Sequence, residues 1–234
     1  MMTKATGTLP AVEVRAMFNR LAPRYDRMNR IMSAGLDGRW RRAAAAAADV
    51  AAGDRVLDCC TGTADLALDL ASRVGPAGRV VALDFAEEML ALARPKVLGR
   101  PIDLQEGDAL DLPFASNHFD AATVGFGARN FADLDLGLAE LTRVVRPGGR
   151  VVVLDITVPR HLRALYGTWF DRVVPGLGRL VGSDGAAYQY LPASAKRFPT
   201  PPALAAHLAA AGLRSVAWRT FAGGMVALHY GRVI

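Results

Sequence analysis

Hydrophobic positions in the middle of this chain fall into short strand-length runs separated by stretches with helical spacing. Arg55–Cys59 is an apolar run that ends at a turn, and Leu66–Val74 follows with helical periodicity. The alternation repeats, with strand runs at Arg79–Asp84, Ile102–Glu106, Ala121–Gly125 and the Val-rich Arg150–Ile156, and helical stretches at Glu87–Leu98 and Leu134–Val145. Strand–helix alternation at this spacing predicts right-handed crossovers and a parallel sheet covered on both faces. A helix over Pro202–Ala211 and strands over Val216–Phe221 and Met225–Val233 close the pattern. Two segments stand outside it. One is helical and runs to about Ala48; the other, Arg160–Pro199, holds a helix around Leu162–Val173 and then the Gly- and Tyr-bearing stretch Gly176–Tyr190. The expected organisation is one domain over 1–234, with an N-terminal helical part (1–48), a core (49–159), an insertion (160–199) and a closing helix and strands (200–234).

Composition narrows the class. The chain has 234 residues, 52% hydrophobic and 21% charged, which excludes a disordered chain and allows a large core. No apolar run reaches the roughly 18 residues of a membrane span. Met1–Arg15 lacks a hydrophobic signal core, so a cytoplasmic protein is expected. The adjacent Cys59 and Cys60 read as reduced thiols, since a vicinal pair makes only a strained disulfide. They have no partners for a metal site, and none is expected.

The formal charge of +6 is unevenly placed. Residues 1–42 hold 9 Lys and Arg against 3 Asp and Glu, so the whole surplus lies there and the remainder is neutral. Phe18, Leu21, Tyr25, Met28 and Met32 form an apolar stripe at helical spacing within this segment, with Arg20, Arg24 and Arg27 beside it. A solvated helix face, an anionic substrate and an anionic lipid surface all fit such a segment. Nucleic acid is set aside, because no second basic stripe with interleaved aromatics follows.

Candidate chemistry begins at Val56-Leu57-Asp58-Cys59-Cys60-Thr61-Gly62-Thr63-Ala64-Asp65. Small residues at a strand-to-helix turn let a ligand approach the backbone near a helix N-terminus. Asp84 ends the next strand, where a carboxylate accepts from ribose hydroxyls. Nicotinamide enzymes share that pair of features, although this loop is not G-x-G-x-x-G. Gly107-Asp108-Ala109 closes the third strand, and Arg146-Pro147-Gly148-Gly149-Arg150 supplies a tight turn into the fifth.

Taken in order, these elements resemble class I S-adenosylmethionine-dependent methyltransferases. The chain resembles one family among them, the menaquinone/ubiquinone biosynthesis C-methyltransferases. Tyr25-Asp26-Arg27-Met28-Asn29, Leu112-Pro113-Phe114, Phe126-Gly127-Ala128-Arg129-Asn130, Ala187-Tyr188-Gln189-Tyr190-Leu191 and Gly223-Gly224-Met225-Val226-Ala227-Leu228-His229 carry the likeness, from about Val14 to the C-terminus. It implies a Rossmann-like, doubly wound α/β sheet with an antiparallel last strand, an N-terminal helical cap and a lid over the substrate. It also implies methyl transfer from S-adenosyl-L-methionine to a ring carbon of a polyprenyl quinol. Demethylmenaquinol is favoured by the Cys-Cys-x-Gly-Thr-Ala-Asp loop, with a ubiquinone-pathway benzoquinol, or another O- or N-methylation, as the alternatives. Cofactor contacts would fall to Tyr25, Asp58, Gly62, Thr63, Asp84, Phe85, Asp108, Ala109 and Gly125. Gly125 stands where a Ser is frequent, which removes a hydroxyl. A ring carbon is nucleophilic enough only once a phenolic proton is lost or shared, so the developing phenolate needs a cation. Arg129 suits that role, unless it is a surface ion-pair partner of Asp133 or Asp135; Asn130 would orient it or hold the quinol oxygen, and His229 would serve as general base unless it is a hydrogen-bonded residue of an edge strand. Trp169, Phe170, Tyr188 and Tyr190 would give the lid an aromatic face.

Overall fold

The computed structural model describes residues 9–158 and 185–234. Three helices come first: α1 (Ala11–Leu21), α2 (Tyr25–Met32) and α3 (Asp37–Ala47). They lead into β1 (Arg55–Cys59), α4 (Asp65–Val74), β2 (Arg79–Asp84), α5 (Glu87–Val97), β3 (Ile102–Glu106), β4 (Phe119–Gly125), α6 (Leu134–Val144) and β5 (Val145–Ile156). After the segment outside the described residues come α7 (Gly185–Arg197), α8 (Pro201–Ala210), β6 (Leu213–Phe221) and β7 (Val226–Val233). The expected helix over Leu162–Val173, together with Trp169, Phe170 and the side chain of Tyr188, lies outside the described residues.

The strands form one seven-stranded sheet in the order β3-β2-β1-β4-β5-β7-β6. The pairs from β3 across to β5 are parallel, and β7 runs antiparallel between β5 and β6. The order reverses between β1 and β4, so a crevice opens there at the carboxyl ends of the strands.

Side-chain alternation explains both covered faces. Leu57, Cys59, Ala122, Val124, Val151 and Val153 point to one side and pack with Leu138 and Leu141 of α6 and Leu204 and Leu208 of α8. Their neighbours Val56, Ala121, Val152 and Leu154 point to the other and meet Ala44 and Ala45 of α3 and Leu66, Ala67 and Leu70 of α4. These strands are buried on both sides, hence their near-continuous apolar runs. Strand β6 starts earlier than its sequence pattern suggests, at Leu213, and a register shift between Arg214 and Ala217 hides the alternation.

The N-terminal stripe runs over more than one helix. Pro23 sits in a 3-10 turn, Ala22–Arg24, that breaks the segment into α1 and α2. Arg20 and Arg27 therefore belong to different helices. The apolar residues converge instead on a small core of Val14, Met17, Leu21, Met28 and Tyr190, with Phe18 and Met32 against it.

The turn into β5 rests on two glycines of different kinds. Gly148 has φ +81° and open space where a Cβ would go, whereas a Cβ on Gly149 would lie 2.4 Å from the Asp120 carbonyl oxygen and 2.5 Å from Val145 Cγ1. Gly149→Ala is therefore expected to cost about 3 kcal/mol by overpacking against backbone. Gly148→Ala meets only left-handed strain, about 1 kcal/mol. Urea denaturation of the two variants checks the order, and equal midpoints would refute it.

Candidate active site

The turn after β1 is held from beneath by Asp84 at the end of β2. Its Oδ2 accepts from the Gly62 amide at 2.7 Å and its Oδ1 from the Ala86 amide at 2.9 Å. One carboxylate thus ties the loop to the start of α5 and stands on the wall of a pocket. Phe85, Gly107, Asp108, Ala109, Gly125 and Asn130 line the same pocket. Asp108 is turned by its own loop, accepting from the Leu110 amide at 2.9 Å. Cys60, Gly62 and Ala64 all take positive φ (56°, 57° and 65°), which coils the backbone tightly beside the helix α4 N-terminus.

A second, polar pocket continues from the first across Gly62 and Gly125. Asp26, Asp37, Asp58, Asp65, Thr63 and Arg41 line it. Thr63 Oγ1 donates to Asp26 Oδ1 at 2.6 Å, and Lys96 Nζ reaches Asp26 Oδ2 at 2.6 Å and Asp65 Oδ1 at 2.9 Å. Those bonds close α2 over the β1 loop. Asp58 is almost fully buried and accepts from Thr61 Oγ1 at 2.6 Å and Thr123 Oγ1 at 2.7 Å. Burial raises its pKa to about 6, although the two hydroxyls pull the other way. Cys60 lines both pockets; its hydrogen bond with Cys59 and its burial hold the thiol well above the usual range, hence neutral.

The third space is a cavity of about 340 Å³ under the N-terminal helices, and it is mostly apolar. Met17, Leu21, Met28, Met32, Trp40, Ile156, Leu191 and Met225 contribute to its walls. Arg129 supplies its deepest charge. That side chain is 6% exposed, and its Nη1 donates to Asp155 Oδ1 at 2.8 Å and to the Phe126 carbonyl. The Arg129 amide donates to the other Asp155 oxygen at 3.0 Å, while its Nε has no partner. Tyr25 and Phe126 line all three spaces, so the pockets and the cavity meet at those two rings. Burial raises the Tyr25 pKa, against a side-chain hydrogen bond with Asn29 that lowers it. Asn130 accepts from Tyr190 OH at 3.0 Å, which links α7 to the turn carrying Arg129.

Most of the expected site residues are thus brought together. Tyr25, Gly62, Asp84, Phe85, Asp108, Ala109, Gly125 and Asn130 surround the first pocket, and Asp58 and Thr63 the second. Arg129 pairs with neither Asp133 nor Asp135, because the turn after β4 directs it inward to Asp155. His229 is not brought to the site. It lies 1% exposed on β7 between β5 and β6, bonded through Nε2 to the Pro201 carbonyl at 2.9 Å and stacked on Trp218. Burial lowers its pKa, and it lines none of the three spaces, so it is corrected from general base to framework residue. Sequence reading missed Asp155 and gave Arg41 no role. An acidic residue closing the last parallel strand was the available signal for the first.

The strand order and the antiparallel β7, with pockets at the switch point, define the methyltransferase α/β fold. A solved S-adenosylmethionine-dependent methyltransferase from Aquifex aeolicus superposes with a TM-score of 0.58 at 22% identity, covering 79% of this chain and 84% of that one. The chain belongs to the ubiE/COQ5 methyltransferase family, whose model matches residues 4–233. It is 48% identical to the demethylmenaquinone methyltransferase of Thermus thermophilus, over 92% of this chain and 99% of that protein. It is 41% identical to the ubiquinone/menaquinone biosynthesis C-methyltransferase UbiE of Geobacter sulfurreducens, over 93% and 87% respectively. The chain is an S-adenosyl-L-methionine-dependent methyltransferase. Its pockets fit that cofactor: a backbone-anchored carboxylate suits ribose hydroxyls, and a polar pocket with carboxylates and one guanidinium suits an aminocarboxylate.

Asp58 makes stability depend on pH in a stated direction. An unfolded Asp titrates near ~3.9, so between that pH and about 6 the folded chain holds a proton the unfolded chain has lost. Stability from this group is complete below pH ~4 and is lost as pH rises through about 6. A separation of about two pH units corresponds to on the order of 3 kcal/mol. Wild type is expected to lose that much relative to Asp58→Asn between pH 4 and pH 7.5, read by urea denaturation. Parallel pH profiles for the two proteins would show that Asp58 titrates normally.

Proposed function

We propose that this enzyme methylates a ring carbon of a polyprenyl quinol, demethylmenaquinol foremost, with a ubiquinone-pathway benzoquinol as the second reading. The observation that carries it is the apolar cavity of about 340 Å³ that has a buried guanidinium on its wall and meets both cofactor pockets at Tyr25 and Phe126. An apolar space of this size accepts an aromatic ring with the start of an isoprenoid chain. The cofactor, when bound, supplies an electrophilic methyl group on a sulfonium.

The residues then have these roles in the proposal. Asp84 accepts from the ribose hydroxyls, Asp108 and Ala109 face the adenine, and Gly62, Thr63, Asp58 and Gly125 border the methionine end. Tyr25 and Phe85 close over the cofactor. Arg129 lowers the free energy of a phenolate in the cavity, where the apolar walls exclude water and strengthen the interaction. Asp155 grips Arg129 by both amide and side chain and sets its direction. Asn130, held by Tyr190, ties the α7 helix to that turn.

Arg129→Lys tests the chemical part. The lysine keeps a charge beside Asp155 but not the planar set of donors. With purified protein, labelled cofactor and a short-chain demethylmenaquinol, the variant is expected to bind S-adenosylhomocysteine normally and lose about 10- to 1000-fold in turnover. Wild-type turnover in the variant would remove Arg129 from the chemistry, and no methylation by wild type would remove the quinol reading.

The substrate's tail puts it in a bilayer, and the entrance to the cavity fits that location. Ala34 and Leu36 line the cavity and are exposed, next to Ile31 at 41% exposure. Arg27, Arg30 and Ile31 are exposed neighbours on α2, spaced three and four residues apart. No helix among the described residues is long and apolar enough to cross a membrane. The proposal is a peripheral contact with an anionic leaflet, each basic residue contributing about 1 kcal/mol and fading with salt. Co-sedimentation with anionic vesicles at low salt is expected, with a clear reduction in an Arg24, Arg27, Arg30→Gln triple variant. Equal pelleting with neutral vesicles, or none with either, would defeat the membrane reading.

A further inference from the structure

The polar pocket that borders the cofactor's methionine end is acidic. Four carboxylates line it, those of Asp26, Asp37, Asp58 and Asp65, and Arg41 is the one cation among its described lining residues. A ligand that carries its own carboxylate into such a space needs a positive partner. Lys96 cannot serve: it bridges Asp26 and Asp65 behind the pocket and does not line it. Asp58 and its two threonine donors are an internally closed set.

Arg41 is built to take the role. It projects from α3 with its side chain 17% exposed, so water competes for it less than at a surface. Its two ion pairs, with Asp37 Oδ2 at 2.7 Å and Asp65 Oδ2 at 3.1 Å, both run through Nη2. A guanidinium has five N–H donors, and two carboxylates on one nitrogen leave the rest of the fork to an incoming carboxylate. The longer contact is the one that can be given up. Asp65 keeps Lys96 at 2.9 Å when Arg41 turns away, so no buried charge is left alone. Asp37 remains on Arg41 and also accepts from Ser33 Oγ at 2.8 Å, which anchors the arginine from behind.

We infer that Arg41 binds the carboxylate of the methionine end of S-adenosyl-L-methionine, exchanging its contact with Asp65 for the ligand, and that this residue makes the enzyme select the full amino acid tail. The inference rests on the cofactor placement described above. It assigns Arg41 to binding and not to methyl transfer.

Titration calorimetry with three ligands separates the possibilities: S-adenosyl-L-methionine, its decarboxylated form, which lacks only that carboxylate, and 5′-methylthioadenosine, which lacks the whole tail. Wild type is expected to prefer the carboxylated ligand by roughly 10- to 100-fold, the scale of a charge-assisted bidentate contact. Arg41→Gln should lose most of that preference while binding 5′-methylthioadenosine within about twofold of wild type, which also reports that the variant is folded. Arg41→Lys, with charge but no fork, should fall between them. Equal weakening toward all three ligands would make Arg41 a structural residue, and an undiminished preference in Arg41→Gln would move the carboxylate elsewhere; either overturns the inference. Asp84→Ala is the control for placement. If it leaves 5′-methylthioadenosine affinity unchanged, the adenosine pocket has been misassigned, an outcome distinct from failure of Arg41.

Discussion

The buried pair of Arg129 and Asp155 is the interaction on which the site depends. It joins the turn after β4 to the end of β5, two neighbouring parallel strands whose carboxyl ends form one rim of the crevice. Asp155 holds the Arg129 amide and guanidinium, and one of its oxygens also accepts from the Ile156 amide at 2.8 Å. Taking either charge away leaves the other buried and unmatched, which in proteins costs about 3–5 kcal/mol. The pair is therefore weak evidence for added stability and strong evidence for fixed geometry. It places a permanent cation on a mostly apolar wall, and it fixes Phe126, whose carbonyl the same guanidinium grips.

Polar bonds add to the packing that holds the cap. Helix α2 is fastened to the β1 loop by Thr63–Asp26 and by Lys96, and α3 to the start of α4 by Arg41–Asp65. Asp26 is 46% exposed and Asp65 and Lys96 about a third, so each bond is worth little on its own. Their sum is directional all the same, and it presses the N-terminal segment onto the loop where the cofactor's tail belongs. These bonds add direction to the apolar packing of Val14, Met17, Leu21 and Met28 with Tyr190 and of Ala44 and Ala45 against the sheet.

How much of this was legible in the sequence follows from which forces are local. Strands β1 and β2 coincide with their apolar runs because strands buried on both faces must be largely apolar, and Asp84 stood out as the polar end of one of them. The break at Pro23 was also written in the chain, yet the stripe of Phe18, Leu21 and Met28 masked it, since helical spacing persists across a single 3-10 turn. Asp155 was concealed by the opposite effect: it reads as the polar end of a Val-rich strand, and nothing near it in sequence names its partner 26 residues away. His229 misled because its motif is real while its surroundings are not a site; the antiparallel pairing of β7 aims it at Trp218 and Pro201. Arg41 looked like one of many arginines in an Ala/Arg-rich helix until the fold gathered four carboxylates around it.

Backbone strain shows where the fold has accepted cost for geometry. Eight described residues other than glycine have positive φ, and four of them line the functional spaces: Ala34 and Ala222 the cavity, Cys60 the two pockets, and Phe126 all three; Ala64 caps α4 beside them. Each such residue costs roughly 1–3 kcal/mol and persists only where its surroundings over-determine it. Phe126 is the clearest instance. Its amide donates to the Leu154 carbonyl at 2.7 Å, its carbonyl accepts from Arg129, and φ is +60°. Held at both ends, the residue turns its ring out of the sheet and into the corner shared by both polar pockets and the apolar cavity. A flexible glycine there would relieve the strain and leave the corner open. The large side chain in a costly conformation keeps three spaces distinct yet adjoining, which is what a transfer between a polar cofactor and an apolar acceptor requires.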